Sequence, residues 1–530
     1  MKRLRNLVER HPTGGALTMG SLGTAFMLVR MFLPSPIGLA DQGDGHRLLC
    51  QLGLRNAVPW NASPAQYVYF SWLPHRYFGE TCGANGTSQP YFSSALGLMR
   101  IAGWVTHALG FPGGLDLRAL AVLCSVLVGV GVSWTIVEMR GAMLPRLFTG
   151  LLLVVVLADS GIAPYFASPY SETVAIFGLL LLCPATLRLL RGRHHWMASM
   201  LSVVVIGAVV LTAKTQMLSF LPGLLLLLLV KPASRHDDQG HQADREGWLR
   251  TGIARRAAVL IACAGLVALS ASYLSSAPPR FAELDSYDQV FGTILPHSPN
   301  KAADLRFFGL DPSLATGSGS NILSPNSVAA KPAYLGFTAK VTPTRIAEFY
   351  LTHPTRLFGL AGQGLEGAAT YRLSDYLATY PPNAGEPPGS VEHRVELLTG
   401  VFSVLRAAPG LLALLWLAAL IGFGVATRRR SAAGVLGLAL TIGILVQFWA
   451  VMLTEAAAEL IKHMIIVDYA TALLLPVGVM AWLGRRNREP PAAEEVRPEL
   501  RADAHSYGRH SAAPRAEEGS DQACPPAGSA

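Results

Sequence analysis

Charge is scarce in this sequence: Asp, Glu, Lys and Arg make up 15% of the 530 residues, against 51% apolar. The apolar residues fall into runs too long for a soluble domain. Signatures of several common chemistries are also missing. There is no phosphate-binding glycine-rich loop ending in Lys-Ser or Lys-Thr, no paired-histidine zinc motif and no Cys-x-x-Cys pair. Six cysteines are too few for a disulfide scaffold, and Cys124, Cys183 and Cys263 sit inside apolar runs. Cys50 and Cys82 lie outside those runs, where a disulfide between them would persist in an oxidising compartment. The formal charge of +9 does not point to nucleic acid, because Lys and Arg cluster at the ends of apolar runs instead of forming one basic face.

What is present is a series of continuous apolar runs. A hydrocarbon core of about 30 Å needs roughly 20 apolar residues in a helix. Only helices or closed barrels satisfy their backbone in lipid, and these runs do not alternate as barrel strands do. The expected fold is therefore all-α, a polytopic protein of about ten transmembrane helices over 16–33, 119–138, 147–160, 172–188, 196–213, 217–230, 257–275, 408–427, 432–453 and 464–483. The first run follows a basic start, but its length and the Pro34-Ser35-Pro36 that ends it make it a retained helix, not a cleaved signal.

Arg140 and Arg146, Arg188 to His195, Lys231 to Arg256 and Arg428 to Arg430 mark four basic connections. Putting all four in the cytoplasm, with a short N-terminus (1–15) and a disordered tail (484–530), obeys the positive-inside rule. Residues 16–275 then hold the first seven helices and 408–483 the last three. Two segments, 34–118 and 276–407, become large extracytoplasmic loops. The first is rich in aromatics (Tyr67, Tyr69, Phe70, Trp72, Tyr77) and has an amphipathic stretch from Ser93 to Leu109. The second suggests helices near 342–350 and 392–404. Loops this long usually carry function or are disordered, and the aromatic content argues for function.

Four groups of residues carry candidate chemistry on the outer side. Asp41-Gln42-Gly43-Asp44-Gly45-His46-Arg47 is an acidic turn just past the first helix; a carboxylate there suits a general base, or Asp44 simply caps a helix. Tyr165, Tyr170 and Glu172 suit a sugar or headgroup pocket, or are interfacial anchors and a helix-dipole partner. Lys214 and Gln216 lie between two apolar runs, where Lys214 either meets a lipid phosphate or snorkels to the surface. Glu455, Glu459, Lys462 and His463 form a charged face that is either functional or merely salt-bridged. Asp468 falls inside the tenth run, so Lys462 or His463 is its expected partner.

Taken together, these positions resemble membrane glycosyltransferases of the GT-C superfamily, in which an acidic motif occupies the first extracytoplasmic loop. Asp41 and Asp44 match that motif, and Pro169-Tyr170-Ser171-Glu172 is similar to an element of the mannosyltransferases of glycosylphosphatidylinositol synthesis. A closer resemblance is to bacterial hexose transferases associated with surface-layer glycans, carried by Asp41 to Arg47, Lys214 to Gln216, Tyr287 to Leu310 and Lys462-His463. Gly45-His46 departs from the usual acid-then-aromatic pattern.

The resemblance implies transfer of a hexose from a polyprenyl-phosphate donor to a glycan, lipid or protein acceptor outside the membrane. Asp44, or secondarily Asp41, would be the base. Lys214 and Lys462 would hold the departing phosphate, with Arg47, Tyr165, Tyr170, Glu172, Gln216, His463 and Asp468 lining the substrates. No cofactor is implied; some members of the superfamily use a divalent metal and others do not, and no metal ligands are assigned. A secondary transporter or a non-catalytic polytopic protein is the alternative. Acids at the outer edge and the lack of an internal repeat favour the transferase.

Overall fold

The computed structural model describes residues 12–58, 66–77, 92–191, 195–230, 245–371, 373, 377–455 and 460–486. The expected tail beyond 486, Cys82 and Glu459 lie outside the described residues. Cys50 is disulfide-bonded.

The chain opens with α1 (Pro12–Phe32) and, after an extended stretch, the short α2 (Asp44–Leu49). Three short strands follow, β1 (Leu54–Asn56), β2 (Ser71–Pro74) and β3 (Leu115–Asp116), with α3 (Ala95–Ala108) between the last two. The strands form an antiparallel sheet in the order β1-β2-β3, pairing Arg55 with Leu73 and Trp72 with Leu115. Strands of two to four residues are below what periodicity reveals, and the sequence gives no sign of them. The helix α3 coincides with the amphipathic stretch. Asp116 then caps α4 (Leu117–Glu138), accepting from the Arg118 backbone at 2.9 Å.

Next come α5 (Met143–Ala158), α6 (Glu172–Leu190), α7 (Trp196–Leu211), a 3-10 turn at Thr215–Phe220 that runs into α8 (Leu221–Leu229), and the long α9 (Arg245–Ser275). The second long segment holds α10 (Pro279–Tyr287), which continues as a π-helical stretch over Asp288–Ile294, then α11 (Lys301–Phe307), α12 (Phe337–Lys340), α13 (Pro343–Thr352), α14 (Pro354–Ala368) and α15 (Leu397–Ala407). The last three helices are α16 (Gly410–Arg428), α17 (Ala432–Thr454) and α18 (Leu460–Arg486).

Among the described residues seven helices are long and apolar enough to cross a membrane: α1, α4, α6, α9, α16, α17 and α18. The other three expected spans are shorter apolar helices, Met143–Ala158, Trp196–Leu211 and Thr215–Leu229. Sixteen residues of helix measure about 24 Å, less than a full hydrocarbon core. The protein is an all-α polytopic membrane protein.

Burial divides the long helices. In α6 and α18, 89% and 83% of the apolar window is buried, whereas α9 and α16 show 17% and 22%. The first pair forms the centre of the bundle and the second pair faces outward. Association in lipid relies on close packing more than on apolarity, so small residues mark the contacts. At the crossing of α1 and α4, a Cβ on Gly20 would lie 2.5 Å from the Gly129 carbonyl, and one on Gly129 would lie 2.6 Å from that of Gly20.

Both long segments lie at one end of the bundle and are stitched together there. Gly38 and Ala40 donate backbone hydrogen bonds to Thr379 and Ala378 at 3.0 and 2.9 Å, and Val68 donates to Tyr380 at 2.9 Å. Arg30 near the end of α1 pairs with Glu392 at 3.1 Å and donates to the Ala158 carbonyl and to Ser160 Oγ. The Arg30 and Glu392 side chains are 4% and 0% exposed. Arg394 pairs with the same carboxylate at 2.9 Å. Asp159 accepts from Leu398 N and Thr399 Oγ1, tying the start of α15 to the end of α5.

Candidate active site

The stitched end of the bundle fixes the acidic turn. Leu39 donates to the Ala167 carbonyl at 3.2 Å, so residues 38–40 run between Ala167 on one side and 378–379 on the other. Asp41 follows, buried, with both carboxylate oxygens occupied: Oδ1 accepts from the backbone of Gly43 and Gly45, each at 2.9 Å, and Oδ2 from His46 at 3.0 Å. One carboxylate thus satisfies three backbone donors that α2 leaves unpaired at its start. Burial pushes the Asp41 carboxyl up to about 6 against the pull of those three donors.

Glycine is required at two points of this turn. Gly43 has φ of 112°, a region L side chains rarely adopt. A Cβ on Gly45 would sit 2.4 and 2.5 Å from Pro169 Cβ and Cγ. The departure from an acid-then-aromatic pattern therefore has a steric reason: the turn packs directly on the Pro169-Tyr170 element. Tyr170 locks it further. Its hydroxyl donates to the Ala40 carbonyl at 2.7 Å and accepts from Gln42 N at 3.0 Å, bracketing Asp41.

Asp44 points the other way. Its side chain is 37% exposed and its Oδ2 lies 2.6 Å from Lys462 Nζ, with Arg47 Nη1 3.6 Å from Oδ1. Burial raises the carboxyl, but Lys462, Arg47 and Lys214 override it and hold Asp44 well below the usual carboxylate range. Lys462, by contrast, has a side chain only 2% exposed, with its ammonium 5.1 Å over the centre of the Tyr170 ring. Each partner of the pair is thus held by a different part of the fold, Lys462 by the start of α18 and Asp44 by a glycine-flanked turn.

A second set of pairs adjoins the first. Lys214 Nζ lies 2.9 Å from Glu172 Oε1 and 3.2 Å from His463 Nδ1. Gln216 Nε2 contacts the same His463 nitrogen at 2.7 Å and donates to Glu455 Oε1. Lysine and the glutamine amide nitrogen only donate, so His463 Nδ1 accepts from both and its Nε2 carries the hydrogen that faces Glu455 Oε2. Glu455 is held down to about 2, where the hydrogen bond from His463, the Lys214 charge and the Gln216 amide outweigh the effect of burial. Asp44, Glu172 and Glu455 therefore balance Lys462, Lys214 and Arg47, three charges of each sign.

The elements explain the convergence. Glu172 opens α6, Lys214 follows α7, Gln216 begins the turn before α8, Glu455 ends α17, and Lys462 and His463 begin α18. All these termini lie at one end of the bundle, under the acidic turn. Among the described residues no group of three His, Cys, Asp or Glu side chains is arranged to hold a metal ion.

A family model described as the YfdI N-terminal transmembrane domain matches residues 13–493. The chain belongs to this family. No curated protein and no solved structure matches it.

Of the residues singled out in this YfdI-family chain by sequence, the structure gathers Asp44, Arg47, Tyr170, Glu172, Lys214, Gln216, Lys462 and His463 into one network, with Asp41 beneath it. Tyr165 is fully buried in the core. Asp468 does not pair as expected: Lys462 bonds Asp44, His463 bonds Glu455, and neither Asp468 oxygen has a hydrogen-bond partner among the described residues. Helix geometry gives the reason, since six residues at 3.6 per turn leave Asp468 about 120° round α18 from Lys462. Sequence reasoning missed Asp285 on α10. It stands within electrostatic reach of Lys214, Glu455 and Asp288, and burial followed by these acids pushes it up to about 7. Nothing local in the sequence signals its approach to residues of the last two helices.

Proposed function

We propose that this protein is an integral membrane hexosyltransferase that moves a hexose from a polyprenyl-phosphate donor to an extracytoplasmic glycan, lipid or protein acceptor. The observation that carries this reading is the first-loop acid Asp44 meeting Lys462 within a compact set of cations next to apolar helices. Membership of a glycosyltransferase-like membrane family is in keeping with it. A lipid phosphate needs buried cations close to an apolar surface, and a hydroxyl nucleophile needs a carboxylate beside them.

In this reading the donor phosphate binds Lys462 and Lys214 and takes Lys462 from Asp44. The freed carboxylate accepts the proton of the acceptor hydroxyl as that oxygen bonds to the anomeric carbon. The bond from the anomeric carbon to the phosphate oxygen breaks, its electron pair leaves with the phosphate, and the two lysines stabilise the added negative charge. Asp41 and Tyr170 position the turn and take no proton. The N-terminus would be cytoplasmic and the site external.

The test is release of polyprenyl phosphate by purified protein in lipid, supplied with a panel of polyprenyl-phosphate hexoses and acceptor-containing extract. Release that disappears in Asp44→Asn supports the transferase, and no release from any donor rejects it. Asp468 favours a second reading, a secondary transporter, because a buried ionisable group inside a helix bundle commonly marks an ion or proton path. Uptake into vesicles that requires Asp468 would support that reading.

A further inference from the structure

The network has two walls of different character. One carries the cations Lys462, Lys214 and Arg47 with their paired acids. The other is α10 with the π-helical stretch that continues it, held at both ends. Phe281 lies under the Arg47 guanidinium, 5.3 Å from ring centre to charge. Eight residues on, the buried Gln289 donates to the Met452 carbonyl at 2.7 Å and accepts from the Tyr350 hydroxyl at 3.1 Å. Residue 285 is one four-residue step on from Phe281 within α10, so it shares the face that Phe281 turns to Arg47.

The groups facing Asp285 are Lys214, Glu455 and Asp288, with His463 behind Glu455 and Arg47 at the Phe281 end. Among the described residues no group hydrogen-bonds the Asp285 carboxyl, and its oxygens are not sealed from solvent. Asp285 and Asp288 repel a phosphate, whereas a carboxylate accepts readily from sugar hydroxyls. The helix also passes from α to π geometry directly after Tyr287, a feature common where a helix serves a site.

We propose that Asp285 is the acceptor-side residue of the site, its carboxylate taking a hydrogen bond from a hydroxyl of the acceptor opposite the phosphate-holding lysines. The proposal rests on the hexosyltransferase reading. It makes α10 the wall that recognises the acceptor, and it separates the two substrates by charge: anionic donor to the lysines, neutral hydroxyls to Asp285. Because burial lifts this carboxyl to about 7, the acceptor hydrogen bond gains strength as pH rises through neutrality.

The experiment compares wild type and Asp285→Asn in lipid, with the donor that wild type uses and acceptors drawn from alkyl hexosides and glycan oligosaccharides. The expected result is an acceptor KM raised about 10- to 100-fold, with donor KM and polyprenyl phosphate binding unchanged. Wild-type kcat/KM for acceptor should rise through pH 7, and that limb should vanish in the variant. Unchanged acceptor KM and pH profile overturn the proposal, as does loss of polyprenyl phosphate binding, which would make Asp285 a support of the donor side. No transfer by wild type from any donor overturns the transferase reading itself and the acceptor role with it.

Discussion

Lys462 and Asp44 are joined across 418 residues of sequence by a contact of 2.6 Å. The lysine is the buried member, and the acid is the half-exposed one on a turn flanked by Gly43 and Gly45. A phosphate arriving at Lys462 therefore competes with Asp44 and meets no vacant cation.

This competition predicts opposite effects of one substitution. Asp44→Asn should lower transfer by about 10²- to 10⁴-fold, the usual worth of a general base. The same variant should bind polyprenyl phosphate about 10-fold more tightly, because a hydrogen bond to a charged group is replaced by a neutral one. Titration of purified protein with polyprenyl phosphate measures this, and weaker binding in Asp44→Asn would reject the competition.

For Asp41 the expected effect is on folding. Its carboxyl is raised to about 6 from the 3.8 of a free aspartate, so between those pH values the folded state keeps a proton that the unfolded state has released. Its contribution to stability is whole below about pH 4 and is lost as pH climbs through 6. Asp41→Asn should reduce that slope, leaving the part that Asp285, raised to about 7, contributes. It should also cost about 1–3 kcal/mol, because an amide cannot accept from all three backbone donors. Melting temperatures in detergent between pH 5 and 7 report both effects, above the window in which Glu455, held down to about 2, changes stability.

At Gly45 a single methyl group should separate the site from the fold. Gly45→Ala drives a Cβ to 2.4 Å from Pro169 and 2.9 Å from Asp41 Oδ1, displacing the turn that carries Asp44. Transfer should fall at least about 10-fold, the cost of moving a catalytic group by a fraction of an ångström, while membrane insertion persists. Gly97→Ala on α3, where nothing lies within 4 Å, is the control and should keep full activity.

The Arg30–Glu392 pair should dominate stability. Removing one partner of a buried pair leaves an uncompensated charge and costs about 3–5 kcal/mol. Glu392→Gln should depress the melting temperature sharply, and Arg30→Met with Glu392→Leu should recover part of the loss. Equal melting temperatures for wild type and Glu392→Gln would contradict the role assigned to this pair.

Legibility in the sequence followed the range of the interaction that decides each feature. Continuous apolar runs are local, so the bundle helices stand close to where hydropathy puts them; α3 lies on the amphipathic stretch, and α13 and α15 overlap the helices expected near 342–350 and 392–404. The three-stranded sheet is decided by pairings such as Trp72 with Leu115, and its strands are too short to show a period. The site residues were visible as types, since a charged residue beside an apolar run is conspicuous. Their partners were not. Lys214 with Glu172 and Gln216 with Glu455 depend on how helices cross, and Asp468 was given the wrong partners because nearness in sequence hid its turn to another face of α18.

The last helix brings Lys462 and His463 to residues made far earlier, and this bears on how the protein is born. While the ribosome is still adding residues before 460, the growing chain already holds Asp44, Glu172 and Lys214 but lacks the ammonium that Asp44 faces and the imidazole that Lys214 meets. The network thus closes late in synthesis, with the addition of the last helix. Until then Asp44, Glu172 and Lys214 lack the two side chains that close the network.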